Sequence, residues 1–287
     1  MPVFDPPQPI DLRRTLSAVG VQDWSEGKAW WTVAAPSGPA TVAIAASQEK
    51  IEAVAWGGGA DEALQRVPRL LGFDDNPTAF DPGELRELHL RSLGLRLGST
   101  GAVFAAVVPA VLGQLVTSVE AKRSYRKLRG ALGATAPGPR DDLVLPPAPE
   151  AVAALSYEDL HRFGIERKRA GVIIEAARRA KRLEEILDMD RDGAYSRLTA
   201  IRGIGPWTAA MVMGEAWGDR DAVPVGDHNL PSTVTWAMRG QRKGTDEEML
   251  ELLEPFRPNR RRAVVLLKQS GVKPPRHGPK TPLRRHL

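Results

Sequence analysis

Hydrophobic and polar positions follow two different rhythms along this chain. Up to about residue 75 the apolar stretches are short and rich in β-branched and aromatic residues: AWWTVAA (29–35), ATVAIAA (40–46) and IEAVAWG (51–57). PSGP and SQEK separate them as turn formers, so the pattern predicts an antiparallel meander. A helix is predicted before it over DLRRTLSAV (11–19) and another after the triple glycine over ADEALQRVPRLL (60–71), with Pro68 expected to disrupt the latter. GFDDNPTAFDPGEL (72–85) is turn-rich and marks a boundary.

From about Phe80 onward apolar residues recur at spacings of three and four. The run 102–132, AVFAAVVPAVLGQLVTSVEAKRSYRKLRGAL, reads as helix, and the Pro/Gly-rich stretch 133–149 interrupts the pattern. Helical periodicity returns in PEAVAALSYEDLHRFG, ERKRAGVIIEAARRAKRLEEIL, STVTWAM, TDEEMLELLEPF and RRRAVVLLKQ. The tail KPPRHGPKTPLRRHL is basic and Pro-rich, the composition of an extended segment. The expected class is α+β: a small N-terminal antiparallel β/α domain (1–75), an all-α domain (76–272) and a basic tail (273–287).

Composition narrows the chemistry. With 287 residues, 42% of them apolar, the chain can bury a substantial core and is long enough for two domains. No apolar run approaches the roughly 18 residues of a membrane helix, and MPVFDPPQPIDLRR lacks the regions of a signal peptide. There is no cysteine, which excludes disulfides, thiolate zinc sites and an iron–sulfur cluster and fits a cytoplasmic location. A net charge of +5 favours a polyanionic partner.

One stretch joins turn chemistry to a helix start: LTAIRGIGPWTAAMV (198–212). Gly203 and Gly205 are expected to form a tight positive-φ turn, and Pro206 suits the first helical position, where its missing N–H costs nothing. Such a turn presents free backbone N–H groups at a helix N-terminus, to which a phosphate can come close. That device holds nucleic acid by its backbone without reading sequence. Past that helix, VPVGDHN places the carboxylate of Asp227 at a loop-to-helix junction, where by itself it reads as a helix cap. Asp219 and Asp221 lie nearby in GDRD, which reads as a solvated turn.

These residues together resemble the helix–hairpin–helix DNA glycosylases, of the bacterial 3-methyladenine DNA glycosylase II type. The resemblance spans roughly Val103 to Gly271 and rests on VLGQLVTSVEAK, RFGIERKRAGVIIEAARRA, LTAIRGIGPWTAAMV and VPVGDHN in the family's order. It implies an all-helical glycosylase domain of two lobes with the active site between them, and an enzyme of base excision repair. That enzyme flips an alkylated purine from duplex DNA and hydrolyses it away, leaving an abasic site. The partner implied is double-stranded DNA containing damaged bases, bound by a monomer. The other readings are a non-catalytic hairpin protein that only holds DNA or recognises damage, and a glycosylase for another damaged base.

The resemblance also assigns roles. Asp227 corresponds to the carboxylate that faces the flipped nucleotide, and capping could orient it at the same time. Trp207 is placed against the base, where an indole can stack on an electron-poor purine; Phe104 and Trp236 are further candidates for the pocket. Leu115 matches the wedge that fills the gap left by the flipped base, and Gln114 is a candidate strand contact. The DNA backbone falls to Arg202, Gly203, Ile204, Gly205 and Thr208 of the hairpin, with Arg167, Lys168, Arg169 and the cluster Arg260 to Arg262 as further cations. No cofactor is required, although Na+ or K+ is expected at hairpin carbonyls near Gly203 and Gly205. Relatives that also nick the strand carry a lysine where this chain has Trp207, and the nearest lysines in sequence, Lys181 and Lys243, do not match that position. No lyase activity is therefore expected. In the last helix a pocket tryptophan of the family is replaced, on this reading, by an aliphatic residue.

Overall fold

The computed structural model describes residues 2–47 and 50–275. The chain begins with β1 (Val3–Phe4), α1 (Leu12–Ala18), β2 (Asp23–Ser25), β3 (Lys28–Ala35), β4 (Gly38–Ser47), β5 (Lys50–Trp56) and α2 (Ala60–Leu70). The strands form one antiparallel sheet in the order β1-β5-β4-β3-β2, with Trp31 opposite Val42 and Val42 opposite Ala55. Alternate residues Ala29, Trp31, Val33, Val42 and Ile44 pack against Leu12 and Leu16 of α1 and Val67 and Leu70 of α2. The other face carries Trp30, Ala43 and Trp56, covered by Ala136, Leu143 and Leu145. Burial on both faces explains why AWWTVAA reads as a continuous apolar run instead of an alternating one.

Pro68 does not break α2. It removes one N–H donor from the helix, which nevertheless runs on to Leu70, with the Leu71 N–H donating to the Val67 carbonyl (2.9 Å). The Pro/Gly-rich stretch after residue 132 is not a loose connection. It straps back onto the sheet: Thr32 Oγ1 donates to the Val144 carbonyl (3.2 Å) and Arg140 Nη1 to Ser25 Oγ (2.9 Å).

The rest of the described chain is helical: α3 (Arg86–Leu90), α4 (Val103–Leu112), α5 (Ser118–Leu132), α6 (Pro149–Ala153), α7 (Tyr157–His161), α8 (Arg167–Arg178), α9 (Ala180–Glu184), α10 (Arg191–Thr199), α11 (Pro206–Val212), α12 (Leu230–Arg239), α13 (Asp246–Leu253) and α14 (Arg260–Ser270). Two cores divide it. One, from α4 to α11 and beyond, includes Val107, Leu112, Ile173, Leu198 and Met213. The second joins Phe80, Leu85 and Leu95 to Leu230, Val234, Leu253 and Leu267. Residues 80–97 thus pack with the last three helices although they precede the first core in sequence. The α+β architecture expected from the two rhythms is the one observed. The basic tail lies outside the described residues from 276 onward. Among the described residues no helix is long and apolar enough to cross a membrane.

The expected helix over 102–132 is two helices. Gly113 ends α4, and Thr117 starts α5 with a capping box to Glu120. The turn between them holds Gln114 and Leu115.

Candidate active site

The hairpin between α10 and α11 turns at Gly203, whose φ of 98° lies in the left-handed region. A Cβ there would meet Val172 Cγ2 at 2.4 Å, so α8 packs directly on this glycine. Gly205 departs from expectation. Its φ of −92° and ψ of −177° are extended, and it serves as N-cap with Pro206 at the first helical position. A Cβ at Gly205 would meet nothing within 4 Å, so what the missing side chain leaves there is open space in front of the helix. The carbonyls of Gly203 and Gly205 already accept from Gln114 Nε2 (2.9 Å) and the Ala209 N–H (2.9 Å). Each carbonyl keeps a second lone pair, so the expectation of Na+ or K+ at these glycines stays a proposal.

Trp207 points from α11 across the front of the molecule. Its Cη2 lies 3.1 Å from where a Cβ would stand on Gly113, while its Nε1 donates to Asp227 Oδ2 at 3.1 Å. The indole therefore spans from the turn carrying Leu115 to the carboxylate. Gly226, with φ 89°, makes the bend that presents Asp227, and its N–H donates to both carboxylate oxygens of Asp246 at the start of α13 (3.1 and 3.0 Å). Asp227 Oδ1 accepts from the N–H groups of Asn229 and Leu230 (both 2.9 Å). The cap position of α12 is Asn229, yet the Asp227 carboxylate does the capping. The capping reading of this residue is the one observed: one oxygen is fixed by the helix start and the other by Trp207.

A fourth group completes the site. Lys268, in the last turn of α14, brings Nζ to 3.9 Å from Asp227 Oδ2, with the lysine side chain 43% exposed and that of Asp227 18%. Burial pushes the Asp227 carboxyl up. Lys268, the Asn229 N–H, Trp207 Nε1 and the Leu230 N–H outweigh it and hold the group below the usual carboxylate range. The protein crowded around the Lys268 amine pushes the ammonium below the ordinary lysine range, with Asp227 opposing. Sequence reasoning missed this residue. In RRRAVVLLKQ it is a cation ending an apolar run, which reads as a solvated helix terminus.

Leu115 is fully exposed and sits in the turn with φ 56°, a conformation costly for a leucine. Burial in the core is not its fate. Gln114 beside it spends both amide donors inside the protein, on the Gly203 carbonyl and on Thr208 Oγ1 (2.8 Å). It brackets the turn to the hairpin and does not hold those donors out to a DNA strand. Phe104 is buried in the first core at the start of α4, where Glu184 accepts from its N–H (2.8 Å). Trp236 is half-buried on α12.

The cations divide. Arg202, Arg167 and Lys168 are exposed, with Arg167 lying over Tyr157 at 4.3 Å. Thr208 and Ile204 are buried. Arg169 is a correction: it is buried and donates from Nη1 to the Leu112 carbonyl (3.0 Å), tying α8 to α4. Arg260 to Arg262 are corrections too, since all three are buried. Arg260 pairs with Asp221 (2.6 Å) and Arg262 with Asp75. GDRD is accordingly no solvated turn; Asp219 is buried and accepts from Tyr195 (2.8 Å) and Arg191 (3.1 Å).

No family model matches. A DNA-3-methyladenine glycosylase of Bacillus subtilis is 29% identical over 208 residues, covering 69% of this chain and 68% of that protein. The chain belongs to the helix–hairpin–helix DNA glycosylase superfamily. Among solved structures of this superfamily, a 3-methyladenine DNA glycosylase from Archaeoglobus fulgidus superposes with a TM-score of 0.79 at 22% identity, covering 93% of this chain and 97% of that one. An 8-oxoguanine glycosylase/lyase from Clostridium acetobutylicum, solved with double-stranded DNA, superposes with a TM-score of 0.70 at 14% identity, covering 90% of each chain. At these identities the two structures speak for the fold.

Proposed function

We propose that this DNA glycosylase is monofunctional, acting as a monomer on duplex DNA to release alkylated purines by hydrolysis. The observation that carries the reading is Asp227: an ionised carboxylate held on one side by a helix start and on the other by the indole of the hairpin's own helix. Breaking the bond between C1′ and the base sends the electron pair to the base and leaves positive charge on the sugar. A fixed carboxylate stabilises that charge. A cationic alkylpurine needs no proton to depart, so one carboxylate suffices; water adds to C1′ and gives up its proton. The Bacillus and Archaeoglobus proteins are named for 3-methyladenine, which supports the same substrate class.

The Clostridium protein is named a glycosylase/lyase, and an amine is what lyase chemistry requires. Here the residue two after Gly205 is Trp207, which has none. In the proposed binding mode the N–H groups at the start of α11, with Arg202, Arg167 and Lys168, grip phosphates while Leu115 enters the gap. The test is incubation with methylated duplex DNA and chromatographic identification of released bases. Release of 3-methyladenine or 7-methylguanine with intact strands is expected. Release of 8-oxoguanine with strand cleavage and no methylpurine overturns the reading.

A further inference from the structure

We propose that Lys268 is a specificity-determining residue that donates a proton to the departing base, extending this site to neutral purine lesions. The inference rests on the reading of Asp227 as the carboxylate beside the reacting sugar.

Three features of the geometry lead to it. Lys268 comes from α14 in the second core, whereas Trp207 comes from α11 at the edge of the first, and both converge on Asp227 Oδ2. The indole N–H is consumed by that oxygen. The lysine is not consumed among the described residues: 3.9 Å is ion-pair range but beyond hydrogen-bond length, and no other described acceptor takes its N–H donors. Oδ1 is fully occupied by the start of α12. Of the polar groups meeting at Asp227, the Lys268 ammonium is therefore the donor left for a base, and its side chain is accessible from solvent. Its lowered proton affinity suits a group that must release a proton.

The charges point the same way. A lone carboxylate attracts a cationic base. A carboxylate paired with an ammonium is neutral overall and gives a cationic base no such advantage. A neutral purine carrying a carbonyl or ring-nitrogen acceptor gains a donor instead. It also gains what it lacks for departure, since without protonation it would leave as an anion. The step balances. The C1′–N9 bond breaks with its electron pair going to the base, and the Nζ proton moves to a base nitrogen or carbonyl oxygen. Water adds to C1′ and loses a proton, and solvent restores the ammonium. The products are the free base and an abasic sugar.

The experiment compares two duplexes, one carrying hypoxanthine as the neutral lesion and one carrying 7-methylguanine as the cationic one, under single-turnover conditions. The wild-type protein is expected to release both. In Lys268→Met, which keeps the length of the side chain, the ratio of hypoxanthine to 7-methylguanine release should fall about a hundredfold, the scale of a lost general acid. Lys268→Arg keeps a cationic donor that does not readily give up its proton, and its ratio should lie between those of wild type and the methionine variant. Binding to an abasic-site duplex reports that each variant is folded. Equal loss on both substrates, or wild-type release of 7-methylguanine without hypoxanthine, overturns the role of Lys268 and leaves the glycosylase reading standing. Release of neither base overturns the role of Lys268, and it overturns the glycosylase reading as well if a 3-methyladenine duplex is also left intact. Borohydride treatment during turnover should trap no adduct; a covalent adduct mapped to Lys268 would make it a nucleophile and overturn the proposal.

Discussion

The two ends of α14 carry cations in opposite circumstances. At its start, Arg260 and Arg262 are buried and meet Asp221 and Asp75 in direct pairs; Arg260 Nε and Nη2 both donate to Asp221, and Arg262 Nη1 also donates to the Leu95 carbonyl (3.2 Å). Both of those charges are answered inside the protein, while Arg261 between them donates, among the described residues, only to the Ala18 carbonyl (3.3 Å). At its end, Lys268 stands 3.9 Å from Asp227, accessible and with donors to spare. The first arrangement fixes how residues 74–97 and the loop around Asp221 sit against the last helices. The second leaves a charge pair unfinished, the condition a ligand can satisfy. Both are carboxylate–cation contacts on one helix, and only distance and accessibility separate scaffold from site.

That contrast can be broken at the scaffold end first. Arg262→Met should destabilise the protein by about 3 kcal/mol, because buried Asp75 keeps, among the described residues, only the Leu97 N–H (2.9 Å) and a longer contact to Arg220 (3.9 Å). Thermal or urea unfolding measures this, and a loss within the range of surface substitutions would remove the distinction between the two ends. At the site end, Asp227→Asn should preserve folding and DNA binding while base release drops roughly a hundredfold or more, a barrier increase of about 3 kcal/mol. Near-normal turnover would take Asp227 out of the reaction. Leu115→Ala should weaken binding to an abasic-site duplex about tenfold, with a smaller effect on intact duplex, since a wedge acts only on the unstacked state. Equal losses on both would end that assignment. The smallest effect sharpens the same line among the arginines of α8. Arg167→Ala should reduce the slope of log affinity against log salt by about one charge with stability unchanged. Arg169→Ala should instead cost stability by freeing the Leu112 carbonyl.

The sheet was legible because strand length, turn residues and β-branched composition agree over 29–57, and the hairpin because Gly-x-Gly-Pro specifies its own local geometry. Asp227 was legible as a helix cap from its place at a loop-to-helix junction, and its role toward a nucleotide came only with the family resemblance. The cations that escaped share one cause. Arg169, Arg260 and Arg262 are written in the same letters as solvated cations, and only tertiary packing reveals the carbonyl or carboxylate that buries each one. Lys268 is the converse, a terminal lysine whose meaning depends on a loop some forty residues earlier folding against it. The break at Gly113–Thr117 was hidden because apolar residues continue through it at helical spacing; the Thr117–Glu120 capping pair was the local sign.

The bracket made by Gln114 has a mechanical consequence. Its amide ties the turn bearing Leu115 to the Gly203 carbonyl and to Thr208 on α11. A protein sliding along duplex DNA with its hairpin on the phosphates would carry the leucine at a fixed height over each base step. Such a probe reads compliance: a firmly stacked step resists it and a loosened one yields. Damage that weakens stacking would be sorted out at the tip of that turn, before any base reached Trp207 or Asp227.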